Sequence, residues 1–164
     1  MMDWWPKTKA VPFVVEEVQS SDFETLAEIH ARSFEHGWDE IELERLTAQE
    51  GVFVLIIRQP NGAGKRLPVG FIMIRAVLDE AEILTIAVDP QVRGQGLAGK
   101  LLHQAMFRLY GDRCKELFLE VDASNDAAMK LYKSHGFRKV GERKGYYGSG
   151  DGDGTALVLR ADLV

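Results

Sequence analysis

A single cysteine, Cys114, leaves no partner for an internal disulfide, so burial and hydrogen bonding must hold the fold, as suits a reducing, cytoplasmic compartment. The four histidines, His30, His36, His103 and His135, show no metal-ligand spacing, and no metal site is expected. Basic residues are outnumbered by acidic ones, 20 to 25, for a net charge of -5. Direct nucleic-acid binding wants a net basic face and is not expected, although a local basic pocket for one phosphate is compatible with this balance. No apolar run approaches the roughly twenty residues that span a bilayer, and Met1 to Lys9 has no signal-peptide apolar region. Internal repeats and low-complexity tracts are missing too.

What remains is an ordinary globular composition. With 164 residues, 46% of them hydrophobic, the chain can build one proper core and not two. Residues 1–10, with Trp4, Trp5 and Pro6, read as a loosely held arm, and residues 11–164 as a single domain.

The central stretch runs from Ile83 to Leu102. Ile83, Leu84, Ile86, Ala87 and Val88 form a nearly unbroken apolar run, as in a strand covered on both faces, and Asp89-Pro90 closes it. Then come Arg93-Gly94-Gln95-Gly96-Leu97-Ala98-Gly99, followed by Leu101, Leu102, Ala105, Met106 and Leu109 at helical spacing. A strand, a loop of small residues and a helix aim unpaired backbone N–H groups and a positive dipole end at one spot, which suits a phosphate or pyrophosphate. The nucleotide P-loop is excluded because Lys100 is followed by Leu101 rather than Ser or Thr. Gly94, Gly96 and Gly99 do satisfy G-x-G-x-x-G, with Glu120 or Asp122 as the acidic residue of a dinucleotide site. That fold begins its sheet with this unit, however, whereas here two or three strands precede it.

The rest of the chain falls into short alternating elements. Val11 to Val18 reads as a strand. Ser21 and Glu24 have capping-box spacing and start a helix whose face carries Phe23, Leu26, Ala27, His30 and Phe34, with Gly37 ending it. Asp39 to Ala48 restarts a shorter helix, and Trp38 sits in the joint, either as core filler or as one wall of a substrate groove. Val52 to Arg58, Val69 to Val77 and the Ile83 strand form an antiparallel meander. After the Leu97 to Tyr110 helix come a strand at Glu116 to Val121 and a helix capped by Ser124 with Gly136 at its C′ position. Strands at Phe137 to Glu142 and Ala156 to Leu159 follow. The order is β-α-α-β-β-β-α-β-α-β-β.

Val88-Asp89-Pro90, Arg93-x-x-Gly96-x-Ala98 and Leu101-Leu102 together resemble the coenzyme A pyrophosphate loop of the GNAT superfamily of N-acetyltransferases. A second frame, Gln91-x-x-Gly94-x-Gly96, fits the short pattern but not the distances to the proline and the double leucine. The resemblance covers nearly the whole chain from Val11. It implies an α/β (α+β) fold with a mixed, mostly antiparallel sheet of about seven strands flanked by four helices, and acetyl-CoA as co-substrate without a metal. Pantetheine then pairs with the backbone of Ile86, Ala87 and Val88, and the diphosphate sits on Arg93, Gly94, Gln95, Gly96, Leu97, Ala98 and Gly99.

Acetyl transfer to an amine asks for a base, an oxyanion donor and an acid for the departing thiolate. Glu120 is the one carboxylate inside the otherwise apolar Leu117 to Val121 run. Asn125-x-x-Ala128-x-x-Leu131-Tyr132-x-x-x-Gly136-Phe137 resembles a second signature of the same superfamily. By that resemblance Glu120 is the base, Tyr132 the acid, and Asn125 contacts the coenzyme arm. Asp79-Glu80-Ala81, Leu119-Glu120-Val121 and the Tyr146-Tyr147 pair narrow the similarity to bacterial ribosomal-protein alanine N-acetyltransferases, so the implied partner is a ribosomal-protein N-terminus. The tryptophan-bearing arm, the Gln59 to Pro68 turn and the Gly148 to Gly154 loop depart from that group. Two other readings stay open: an acetyltransferase for a small-molecule amine or antibiotic, and a non-catalytic acyl-CoA sensing module. A monomer or weak dimer are both compatible with the sequence. Cys114 reads as a small core residue, His36, His103 and His135 as surface or helix-end residues, and Asp151 and Asp153 as part of a hairpin tip.

Overall fold

The computed structural model describes residues 12–59, 66–145 and 154–163. Trp4, Trp5, Val11, Tyr146, Tyr147, Asp151 and Asp153 lie outside them. Among the described residues seven strands form one sheet in the order β1-β2-β3-β4-β5-β7-β6, with β1 Val14–Glu17, β2 Val52–Arg58, β3 Gly70–Val77, β4 Glu80–Val88, β5 Glu116–Asp122, β6 Arg138–Arg143 and β7 Ala156–Asp162. All neighbouring strands are antiparallel except β4 and β5. The helices are α1 Phe23–Ser33, α2 Glu40–Thr47, α3 Leu97–Gly111 and α4 Asp126–Ser134. Element order and sheet class agree with the expectation from sequence.

The nearly continuous apolar character of β2 and β3 follows from burial on both faces. Phe53, Leu55 and Ile57 of β2, with Ile72 and Ile74 of β3, pack with Leu97, Leu101, Leu102, Ala105 and Leu109 of α3. Their alternates Val54, Ile56, Phe71 and Met73 pack with Leu26 and Ile29 of α1 and Leu43 of α2. A period of two along each strand therefore feeds two cores, one on each side of the sheet. No helix among the described residues is long and apolar enough to cross a membrane.

Several boundaries differ from the sequence reading, each for a local reason. The turn before α1 is closed by the Asp22 carboxylate, which accepts from the Gln19 N–H at 2.9 Å and is also paired with Arg58. Helix α1 ends at Ser33 rather than at Gly37, because residues 34–38 fold back over it. Gly37 serves that return by close approach: a β-carbon there would lie 2.8 Å from the Ala31 Cα. Helix α4 is capped not by Ser124 but by Asn125, whose side chain accepts from the Ala128 N–H at 3.1 Å. Ser124 instead bonds the Asp122 carboxylate through its hydroxyl at 2.7 Å. Strand β7 runs on to Asp162 because β5 offers it a partner at every position from Asp122 back to Glu116.

Candidate active site

The parallel pairing of β4 with β5 lasts only three residues, from Glu80↔Glu116 to Glu82↔Phe118. Beyond it the strands carry no ladder to each other, and a cleft of about 870 Å³ occupies the gap. Ile83 to Val88 line one side and Leu119 to Asp122 the other, with the loop before α3, the face of α4 and the 33–36 segment completing the walls. A parallel pair that parts inside the sheet exposes main-chain donors and acceptors of β4 within an otherwise buried region, a requirement for holding an extended amide-bearing ligand. Strand β4 is also bulged: Met73 faces Thr85 and Ile74 faces Ile83, so Leu84 is left without a β3 partner. Leu84 lines the cleft.

At the far end of β4, Asp89 and Arg93 shape the loop. The Asp89 side chain accepts from the Gln91 N–H at 3.0 Å and from Arg32 of α1 at 2.9 Å, while Arg93 Nε donates to the Val88 carbonyl at 3.3 Å. Gly94 and Gly96 have φ of 84° and 73°, the left-handed region in which a β-carbon is strained. A β-carbon at either position would meet nothing within 4 Å, so neighbouring packing does not call for glycine there; the turn does. Gly96 is the N-cap of α3, and the helix has no acidic residue in its first turn. Its first N–H groups lack intrahelical partners by geometry and open toward the cleft with the positive end of a 15-residue helix.

Of the residues singled out from sequence, Ile86, Ala87, Val88, Arg93, Gly94, Gly96, Leu97, Ala98, Gly99, Glu120, Asn125 and Tyr132 all line this cleft. Gln95 does not; it lies at the turn between the two left-handed glycines. Asn125 spends its carbonyl oxygen on the α4 cap, which leaves its amide N–H donors for another acceptor. Tyr132 is 6% exposed, stands edge-on to Phe137 at 5.5 Å, and burial pushes its phenol up to about 12. The Glu120 side chain is 27% exposed, and its carboxylate pairs with the guanidinium of Arg143.

Arg143 was not anticipated. Val158 of β7 faces Glu120 on one side and Gly141 on the other, which brings β6 alongside the carboxylate, and Arg143 lies two residues beyond Gly141 on the same face. No local pattern encodes that juxtaposition. His30 was legible only as a residue on the core face of α1, although a buried imidazole must find hydrogen-bond partners and that requirement was its signal. It is 3% exposed and bonded at both ring nitrogens. Cys114 is buried and its thiol raised by that burial, which leaves it a core residue rather than a nucleophile. His135 closes the end of α4 through its Nδ1, as a helix-end residue. Among the described residues no group of three His, Cys, Asp or Glu is arranged to hold a metal ion.

Comparison with known proteins supplies an independent finding. Residues 23–137 match the model of the acetyltransferase (GNAT) family. The chain is 32% identical over 148 residues to the ribosomal protein bS18-alanine N-acetyltransferase of Haemophilus ducreyi, covering 90% of this chain and 98% of the relative. It is 34% identical over 160 residues to a Bacillus subtilis protein named as a putative enzyme of the same kind, covering 93% and 95%. Among solved structures, the crystal structure of the ribosomal-protein-S18-alanine N-acetyltransferase from Escherichia coli superposes with a TM-score of 0.82 at 30% identity, covering 93% of this chain and 94% of that one.

Proposed function

The chain belongs to the acetyltransferase (GNAT) family, whose members use acetyl-CoA, and on that premise we propose that it acetylates the N-terminal alanine amine of a small-subunit ribosomal protein. The observation that carries the reading is the early end of the β4–β5 ladder at Glu82↔Phe118. It opens a single cleft with a diphosphate-type loop at one end and Glu120 and Tyr132 along its walls.

In this reading the N–H groups of residues 94–99 hold the coenzyme diphosphate, and the exposed edge of Ile86, Ala87 and Val88 pairs with the amides of the pantetheine arm. The amide N–H donors of Asn125 add a contact to that arm. The bulge at Leu84 supplies a backbone amide outside the β3 ladder as the oxyanion donor for the thioester carbonyl. Glu120, directly or through water, takes the proton of the attacking amine. An α-amino group with a pKa of about 8 is neutral far more often near neutral pH than a lysine at about 10.4, so the same chemistry favours an N-terminus. Tyr132 keeps its proton through the whole physiological range, because its pKa is about 12. It therefore stands as a permanent donor to the leaving sulfur. Against a thiol of about 8.5, complete transfer from such a phenol is uphill by roughly 5 kcal/mol, so the hydrogen bond itself is its main contribution.

The test is direct. Mass spectrometry of ribosomal proteins from cells with and without this protein identifies the acceptor, and a purified assay sets an alanine-starting peptide against polyamines and aminoglycosides. Acetylation of the peptide alone, with Glu120→Gln slowing turnover by about 10²-fold and leaving acetyl-CoA affinity in place, is the expected outcome. Preferential acetylation of a polyamine or aminoglycoside would overturn the acceptor assignment, and full turnover by Glu120→Gln would overturn the base.

A further inference from the structure

The α1–α2 joint and strand β4 meet at one buried imidazole. The backbone N–H of Trp38 points at His30 Nδ1 at 2.9 Å, and His30 Nε2 lies 3.2 Å from Thr85 Oγ1. An amide N–H can only donate, so Nδ1 is the acceptor, Nε2 carries the proton, and the Thr85 hydroxyl receives it. The polarity of the chain Trp38 to His30 to Thr85 is thereby set. The ring stacks on the Trp38 indole at 4.9 Å and 9° and is flanked by Phe34 at 4.4 Å and Phe71 at 6.2 Å. An apolar residue of this size would fill the same space, yet it would leave the Trp38 amide and the Thr85 hydroxyl without this partner.

One end of this chain of bonds borders the site, and the other, Trp38, closes the 34–38 segment whose first residues do. Phe34, with Ser33, Glu35 and His36, forms the cleft wall contributed by the joint, and Thr85 lines the cleft next to the bulged Leu84. We infer that His30 is a positioning residue, which sets the wall that meets the acceptor amine at a defined distance from the β4 bulge where the acetyl carbonyl is held. The inference rests on the acetyl-transfer reading of the cleft. It adds a determinant of acceptor geometry that no residue on the coenzyme side supplies. Reactive geometry tolerates little displacement between attacking amine and carbonyl, so a joint free to shift by a fraction of an ångström loses rate on the acceptor side alone.

Four single variants and one double variant test it. His30→Asn keeps an acceptor for the Trp38 amide, His30→Gln keeps a donor for Thr85, His30→Leu removes both, and Thr85→Val removes the hydroxyl. The expected result for His30→Leu is a loss of about tenfold in kcat/KM for an alanine-starting peptide, with acetyl-CoA affinity by calorimetry within about twofold of the parent. His30→Asn and His30→Gln should each recover part of that loss, and the His30→Leu/Thr85→Val double variant should be no worse than His30→Leu. Hydrogen exchange with acetyl-CoA bound provides a readout independent of the acceptor: amides 34–38 should exchange faster in His30→Leu and in Thr85→Val, while those of α3 do not. Unchanged exchange at 34–38 would overturn the inference, as would faster exchange there with peptide kinetics intact, or equal losses of coenzyme and peptide binding. Faster exchange at 34–38 in a protein whose parent acetylates no peptide would support the coupling and place the failure with the proposed acceptor.

Discussion

Acidification should expose the burial of His30 as a loss of stability. Burial lowers its pKa from 6.5 to about 4 in the folded protein, while the unfolded chain keeps the ordinary value. A depressed folded pKa means that the unfolded state binds the proton first as pH falls. The contribution is therefore fully present above pH 6.5 and is lost progressively as the pH drops toward 4. Linkage across that interval gives a loss of about 2 kcal/mol between roughly pH 7.5 and pH 5, and about 3 kcal/mol once both states are protonated. With a urea dependence of about 1–3 kcal/mol/M, the loss at pH 5 moves the unfolding midpoint by on the order of 1 M. The measurement compares urea unfolding of the parent protein and of His30→Asn at both pH values. Asparagine keeps the bond from the Trp38 amide but does not titrate, so other acid-sensitive groups cancel in the comparison. The parent should lose about 2 kcal/mol more than the variant on going to pH 5. Equal losses would refute the reasoning, because they would show that the imidazole titrates alike in the folded and unfolded states.

Other outcomes follow from the same structure. Tyr132→Phe should lower kcat by about 10²-fold with little change in acetyl-CoA affinity, measured by steady-state kinetics and calorimetry; an unchanged kcat would remove its role at sulfur. Gly96→Ala places a β-carbon at a φ of 73° and should cost about 1 kcal/mol of stability while weakening acetyl-CoA binding, since the loop can no longer present its amides in the same turn. Asp22→Ala leaves the Arg58 guanidinium, whose side chain is 7% exposed, with Glu16, partly exposed, as its one carboxylate partner among the described residues. That should cost about 3 kcal/mol in thermal unfolding. Leu101→Ala, at a fully buried position between α3 and the sheet, should cost about 2–5 kcal/mol by the same measurement.

Local chemistry made much of the molecule readable in advance. Strand β2 and helix α3 were placed within a residue of their observed ends, because apolar alternation and helical spacing act over one or two turns of chain. The loop between β4 and α3 was likewise legible, since the left-handed turns at Gly94 and Gly96 are demands that the backbone makes on single residues. Helix ends fared worse. Ser124 and Asn125 are both good caps, and the choice between them was made by Asp122, which engages the serine hydroxyl and leaves the asparagine to α4. Gly37 looked like a helix stop, whereas its role is to let the return segment touch the backbone of α1.

The amino-acid order alone determined the elements, their sequence along the chain and the glycine turn before α3, because propensity, periodicity and glycine conformation are properties of neighbours. The point at which β4 and β5 part, the Arg143 partner of Glu120 and the two bonds of His30 were decided only in three dimensions. The bonds join residues 8, 23 and 55 positions apart and the parting turns on where a ladder stops, and such pairings are chosen by the packing of the whole sheet rather than by any stretch of chain.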